Sequence, residues 1–359
     1  LRGAGQLNVV FPGCAASTNF PNGENLISSW SDQVISHYKR SSCWCIVVAD
    51  DQRVDWVSDN CSRRRYAPVQ YSRLGGNESL LQKALRRASR IAPTAQIIIT
   101  ALEEFRQLWE PLTWAIPPEN KFVGDNRATA LLTSAAALLS IVAKNPANIV
   151  IILPARCHVA SESTLQAALT RAVALVPHVE EGVATLGMMD WGVGVDEDYW
   201  LTSRAKRGPG CEIRGFARRP IPWIARHLRA RGAMVASGIA VGYAGTFAAH
   251  ITKQWPGISR QLMNIVDDAA VAGTECEVPV DMQRGVPSPV LQSLGWRFPT
   301  FTQRAFQVNH CGWSSLKSAQ AIERINPHSS TTPSMREEMV SQPQSGLWAN
   351  QDRGRLQNG

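Results

Sequence analysis

Arginines, aspartates and a histidine recur in this chain where apolar runs give way to loops. Asp50, Asp51, Arg53 and Asp55 follow the run at 45–49, and Arg63, Arg64 and Arg65 come soon after. Asp125, Asn126 and Arg127 follow Lys121-Phe122-Val123, and Arg156 and His158 follow the run at 148–153. Guanidinium groups stay charged and grip phosphate bidentately. Carboxylates offer the oxygens that a hard divalent cation needs. His158 reads either as a base or as a structural imidazole. Asp196-Glu197-Asp198 reads as a solvated acidic run, and as a substitute metal site only if it folds towards a cleft. Ser237 is no nucleophile elbow, because no G-x-S-x-G surrounds it. The formal net charge of +8 attracts anions as a class: nucleotides, sugar phosphates, nucleic acid or acidic lipid. The arginines at 86, 87 and 90, and those from 218 to 231, read as solvated helix faces.

These residues need a scaffold that points them at one place. Strands are expected at 45–49, 96–100, 121–123 and 148–153. Between and after them come helices at 78–91 (N-capped by Asn77), 102–109, 127–143 and 161–176. The unbroken Ile-Val-Ile-Ile-Leu of 149–153 suits the centre of a parallel sheet covered on both faces. Alternating strands and helices imply βαβ units and an α/β fold: a Rossmann-like, mixed but mostly parallel sheet with helices on both faces. Ligands of such sheets sit beyond the carboxyl ends of the strands, here the loops at 50–71, 123–127 and 154–160. After residue 181 the pattern turns strand-rich, with helices at 221–231 and 245–253. The expected organisation is a poorly ordered leader at 1–42 and a compact region at 43–312. That region divides at 180/181 into two lobes with a cleft between them, and a disordered tail follows at 313–359.

Several stretches, in order, resemble the bacterial mannose-1-phosphate guanylyltransferases. Ser62-Arg63 with Tyr66-Ala67-Pro68-Val69-Gln70-Tyr71 resembles S-R…Y-P-K-Q-F, and Ser79-Leu80-Leu81-Gln82 resembles S-L-L-Q. Gly124-Asp125-Asn126 resembles G-R-N, and Leu153-Pro154-Ala155-Arg156-Cys157-His158 resembles the strand end L-P-A-D-H. Phe216-Ala217-Arg218-Arg219-Pro220 resembles F-x-E-K-P, Ala236-Ser237-Gly238 resembles N-S-G, and Gly295-Trp296 resembles G-W-S-D. The resemblance covers the nucleotidyltransferase domain alone. It implies the nucleotide-diphospho-sugar transferase fold. It would place Arg53, Arg63, Gln70, Gly124, Asn126 and Arg156 on a nucleotide, and Arg218, Arg219, Ser237 and Gly238 on a sugar phosphate.

The departures fall at the working positions. No glycine stands between Cys43 and Gly75, so the family's phosphate-cradling loop is missing. Arg156 replaces one metal-binding aspartate, and Arg297 stands where the second is expected. Arginine has no lone pair for Mg²⁺. Either these arginines hold an anion in place of the metal, or they point to solvent. The expected function is a binder of nucleotide or sugar phosphate that has lost metal-dependent transfer and needs no cofactor. The alternative is an active guanylyltransferase-like enzyme using Mg²⁺ through Asp50, Asp51 or Asp55. No apolar run is long enough to span a membrane, no secretory signal stands at 1–20, and the eight cysteines show no C-x-x-C spacing. A cytoplasmic protein is expected. Its partners would be a nucleotide or sugar phosphate, and a protein or second copy; no membrane is expected, and nucleic acid ranks last.

Overall fold

Strand β1 (Cys43–Val48) is buried along its whole length, and its side chains feed two separate cores. The computed structural model describes residues 43–49, 56–58, 66–74, 76–125, 130–179, 183–189, 197–204, 209–279, 281–282, 303–316 and 319–325. The leader at 1–42 and residues 326–359 lie outside these. The strands are β1, β2 (Trp56–Ser58), β3 (Tyr66–Pro68), β4 (Ile97–Leu102), β5 (Lys121–Gly124), β6 (Ile149–Pro154), β7 (Val183–Met188), β8 (Tyr199–Arg204), β9 (Cys211–Ala217), β10 (Met234–Tyr243), β11 (Cys276–Val278) and β12 (Gln303–Val308). The helices are α1 (Leu80–Ser89), α2 (Arg106–Trp109), α3 (Ala130–Lys144), α4 (Glu162–Leu175), α5 (Pro222–Ala230), α6 (Ala244–Gln254), α7 (Pro256–Ala272) and α8 (Ala319–Ile325).

The period of two along a strand sends alternate residues to opposite faces. Cys43, Cys45 and Val47 pack with Leu81, Ala84 and Ala88 of α1 and with Leu165 and Leu169 of α4. Trp44, Ile46 and Val48 pack with Leu132 and Leu138 of α3, Phe247 of α6 and Leu262 of α7. Helices therefore cover both faces of one ten-stranded sheet, ordered β11-β5-β4-β1-β6-β10-β7-β12-β9-β8. From β11 to β6 every pairing is parallel. Beyond β6 the sheet is mixed. β10 runs antiparallel to β6 and β7, β12 is parallel to β7, and β8 and β9 are antiparallel. The start of β10 also pairs with β8, so the pairings from β10 to β8 form a closed circuit. The sheet is mixed as expected, but apart from the β7–β12 pair its parallel pairings all lie between β11 and β6.

Several details differ from the sequence reading. Of the helix expected at 102–109, Leu102 instead ends β4 and the α-helix is Arg106–Trp109, and β12 was not expected. Helix α1 is capped by Ser79 rather than Asn77. The Ser79 hydroxyl accepts from the Gln82 amide, and the Gln82 side chain accepts from the Ser79 amide, a closed capping box. Strand β11 and helix α7 go beyond the expected elements; β11 extends the sheet beside β5. The packed structure also continues past Gly312, where the polar tail was expected to begin. Trp313 and Leu316 are buried, and Ile322 of α8 joins Val69, Leu74, Leu80 and Leu316 in a small third core. Each such aliphatic side chain contributes about 1.5–3 kcal/mol on burial, enough to hold this segment against the α1 end of the sheet.

Candidate functional site

From β1 the chain builds β4 and β5 outward on one side, then returns to place β6 on the other. The strand order therefore reverses between β1 and β6, and in sheets of this kind such a reversal marks the ligand crevice beyond the carboxyl ends of the strands. The Ala155 amide donates to the Val48 carbonyl at 2.8 Å, and the Ala49 amide donates to the Thr100 carbonyl at 2.9 Å. The Ala49 carbonyl accepts from Gln70 Nε2 at 3.4 Å and from the Tyr71 hydroxyl at 3.3 Å. Gln70 is fully buried, and its carboxamide oxygen has no hydrogen-bond partner among the described residues.

At the end of β6, Arg156 is 3% exposed and donates through Nε and Nη2 to the Leu316 carbonyl, at 3.3 and 2.6 Å. His158 forms a two-bond bridge with Ser314, at 2.9 and 3.0 Å. The Ser315 hydroxyl donates to Glu197 Oε1 at 2.5 Å, and Glu197 is 3% exposed. Next to it, the Asp198 carbonyl accepts from the Ala236 amide at 2.8 Å, and Asp198 Oδ1 accepts from the Arg219 amide at 3.2 Å. The bonds thus run from β6 through 314–316 and 197–198 to the end of β9 and the bulge in β10. Leu316 and Arg219 both sit at positive φ, +52° and +42°. Each costs of order 1–3 kcal/mol, and both lie on this network.

Beneath the crevice, Arg87 of α1 is 3% exposed and donates to both oxygens of Glu162, at 2.7 and 2.8 Å, and to Cys157 Sγ at 3.4 Å. Burial pushes Glu162 upward, but the Arg87 guanidinium outweighs it and holds the carboxyl below its ordinary value. Burial first, then the charges of Lys83 and Arg87, depress His158. Both groups bind more protons in the unfolded chain, so both stabilise the fold above their unfolded values and lose that share on acidification. The share of His158 drains below its ordinary value of 6.5, and that of Glu162 below 4.5. Urea midpoints measured from about pH 7.5 downward should fall in two stages; His158→Gln should lessen the first, which His250, pushed down to about 4 by burial and Lys253, shares, and Glu162→Gln should flatten the second.

No family model and no curated protein matches this chain significantly. Among solved structures it is similar to a mannose-1-phosphate geranyltransferase from Thermus thermophilus. The two are 19% identical over 79% of this chain and 79% of that one, with a TM-score of 0.56. Weaker likenesses are to a mannose-6-phosphate isomerase from Helicobacter pylori (16% identity, 76% and 99% covered, TM-score 0.49) and a CMP:2-keto-3-deoxy-manno-octonic acid synthetase complexed with CTP (14%, 80% and 97%, 0.41). The chain has the nucleotide-diphospho-sugar transferase fold.

Within that fold, the crevice and its hydrogen-bonded rim gather Gln70, Arg156, Arg219, Ser237 and Gly238. Gly238 has φ +77°, and a Cβ there would meet Pro154 Cγ at 3.1 Å, so the β10 bulge lies against the end of β6. Arg218 is exposed next to Arg219. Gly124 ends β5, two strands from β1, and belongs to the β5–β11 edge. Arg53, Arg63 and Asn126 lie outside the described residues, as do Asp50, Asp51, Asp55 and Arg297.

Two expectations change. Arg156 does not point to solvent, because a carbonyl in the 311–316 segment anchors it indoors. The Ser237 hydroxyl is engaged within the chain, donating to Leu186 O at 2.6 Å and accepting from the Ile239 amide at 3.0 Å. The sequence reading missed Ser315, and it took Glu197 as part of a solvated acidic run unless that run folded towards a cleft. The G-W-S run that packs against the end of β6 is Gly312-Trp313-Ser314, followed by Ser315; Gly295-Trp296 lies outside the described residues. Glu197 has turned indoors from its acidic run to meet Ser315.

The nucleotide-diphospho-sugar transferase fold raises the question of Mg²⁺. At the end of β6 and in the segment beside it, the described residues present the Arg156 guanidinium and the Ser315 hydroxyl. Among the described residues no three His, Cys, Asp or Glu side chains gather closely enough to hold a metal ion. The described residues do not fit Mg²⁺; Asp50, Asp51 and Asp55 lie outside them.

Proposed function

We propose that the crevice beyond β1 and β6 binds a nucleotide or sugar phosphate and that metal-dependent transfer has been lost. The observation that carries this reading is the pair Arg156 and Ser315. The first is a fixed positive charge, and the second is a neutral donor tied to Glu197. A phosphate entering there meets a field that a bound cation would otherwise provide. Arg218 and Arg219 stand exposed on the rim and supply direct contacts, while Arg156 acts from below. Gln70 Oε1 offers a buried acceptor for an N–H donor such as a base edge.

A second reading, an active guanylyltransferase-like enzyme, draws on Glu197, a buried carboxylate touching Ser315. Calorimetric titration with GTP and with mannose 1-phosphate, in EDTA and then in Mg²⁺, separates the two. Binding should persist in EDTA, and pyrophosphate should not be released. Arg219→Ala removes one charge-assisted contact and should weaken binding about tenfold or more. Pyrophosphate release that requires Mg²⁺ and disappears in Glu197→Gln would establish the second reading instead.

A further inference from the structure

Of the four large apolar side chains that stand clearly exposed among the described residues, two are neighbours at the start of α5: Ile221 at 52% and Trp223 at 63%. Proline separates them, so the chain presents an aliphatic and an aromatic group at one corner. Arg226, one turn along α5, is exposed on the Trp223 face, and Arg231 is exposed just beyond the helix. Arg218 and Arg219 flank the corner on the other side. No Asp or Glu occurs between Glu212 and Asp267 in the whole sequence, so nothing along this stretch of chain supplies a countercharge. Among the described residues none of these four arginines forms an ion pair. An unpartnered apolar corner ringed by unpaired guanidinium groups marks an interaction surface.

We propose that Ile221, Trp223, Arg226 and Arg231, with Arg218 and Arg219 at the edge, dock this protein on the surface of an anionic phospholipid bilayer. Three physical features favour that occupant. Headgroup phosphates match the uncompensated arginines. The indole of Trp223 has the amphipathic character that settles at the headgroup level. Ile221 has no ring to stack on a base, but it can enter the boundary between headgroup and acyl chain. The contact is peripheral, because no helix among the described residues is long and apolar enough to cross a membrane. The face shares Arg218 and Arg219 with the rim of the crevice, so its test rests on Trp223, Arg226 and Arg231 alone.

The test is co-sedimentation of the full chain with vesicles of phosphatidylcholine alone and of phosphatidylcholine mixed with phosphatidylglycerol. The chain should pellet with the mixed vesicles and not with the neutral ones, and added salt should release most of it. Each of Arg226→Gln and Arg231→Gln should cost about fivefold in partition, since a basic residue near such a surface is worth about 1 kcal/mol. Trp223→Ala should cost about tenfold, and its loss should persist at high salt because it is apolar. These side chains are exposed, so thermal midpoints of the variants should match the parent. Equal pelleting with both vesicle types, no pelleting at all, or variants that behave like the parent would overturn the proposal. Binding to single-stranded RNA or to polyglutamate that depends on Trp223, without vesicle binding, would assign the face to another polyanion and also overturn it.

Discussion

Glu162→Ala should lower the unfolding free energy by about 3 kcal/mol, near the bottom of the range for breaking a buried ion pair. The reason lies with the residue left behind. Arg87 is 3% exposed and stays protonated in any protein environment, so without Glu162 its charge has, among the described residues, only the Cys157 sulfur as a hydrogen-bond partner. The Glu162 side chain is 21% exposed, and some water will reach the vacancy, which keeps the cost from the top of the range. Replacing both residues, Arg87→Met with Glu162→Met, should cost clearly less than Glu162→Ala alone, because no orphaned charge remains. Urea unfolding followed by far-ultraviolet circular dichroism on the two single variants and the double variant measures this directly. Equal losses in the single and the double variant would mean that the pair acts by packing alone. The pair joins α1 to the start of α4, and the loop carrying Arg156, Cys157 and His158 runs between β6 and α4. Its loss should therefore also loosen the crevice.

What the sequence makes legible follows from where the stabilising contacts lie. Strand β6 was readable because it is buried on both faces, so its composition alone betrays it: Ile149 to Leu153 are all apolar. Helix α1 was readable from Leu80, Leu81, Ala84 and Ala88, although the same spacing should have placed Arg87 on the buried side rather than among solvated arginines. Strand β12 was not readable. It presents only Ala305, Phe306 and Val308 to the interior between Gln303, Arg304 and Gln307, too little apolar character to separate it from a loop. The site was legible at one end only. Arg156 and Arg219 could be named from motifs. The burial of Glu197 depends on Ser315, 118 residues away, and no local pattern encodes such a pairing. The sequence reading matched Gly295-Trp296 to the late motif, whereas the G-W pair found beside the end of β6 is Gly312-Trp313, next to the His158–Ser314 bridge.

Gly312→Ala should cost about 3 kcal/mol and weaken crevice binding along with the fold. Two penalties add at this position. The residue sits at φ +64°, where a side chain costs of order 1–3 kcal/mol. A Cβ there would also come within 2.5 Å of Ala160 Cβ, an atom fixed to the backbone that no rotamer change can move aside. The strand-like segment at 311–314 would have to retreat from 158–161, to which it is bonded through Cys311 and Ser314. Retreat would carry Leu316 off Arg156 and Ser315 off Glu197, since both anchors lie within four residues. A double-mutant cycle divides the two penalties. Adding Ala160→Gly to Gly312→Ala removes the clash and leaves the backbone strain, so it should restore about 1–2 kcal/mol by relieving the overpacking, together with most of the ligand affinity. Recovery of stability without recovery of binding would mean that the 311–316 segment supports the fold but does not shape the crevice.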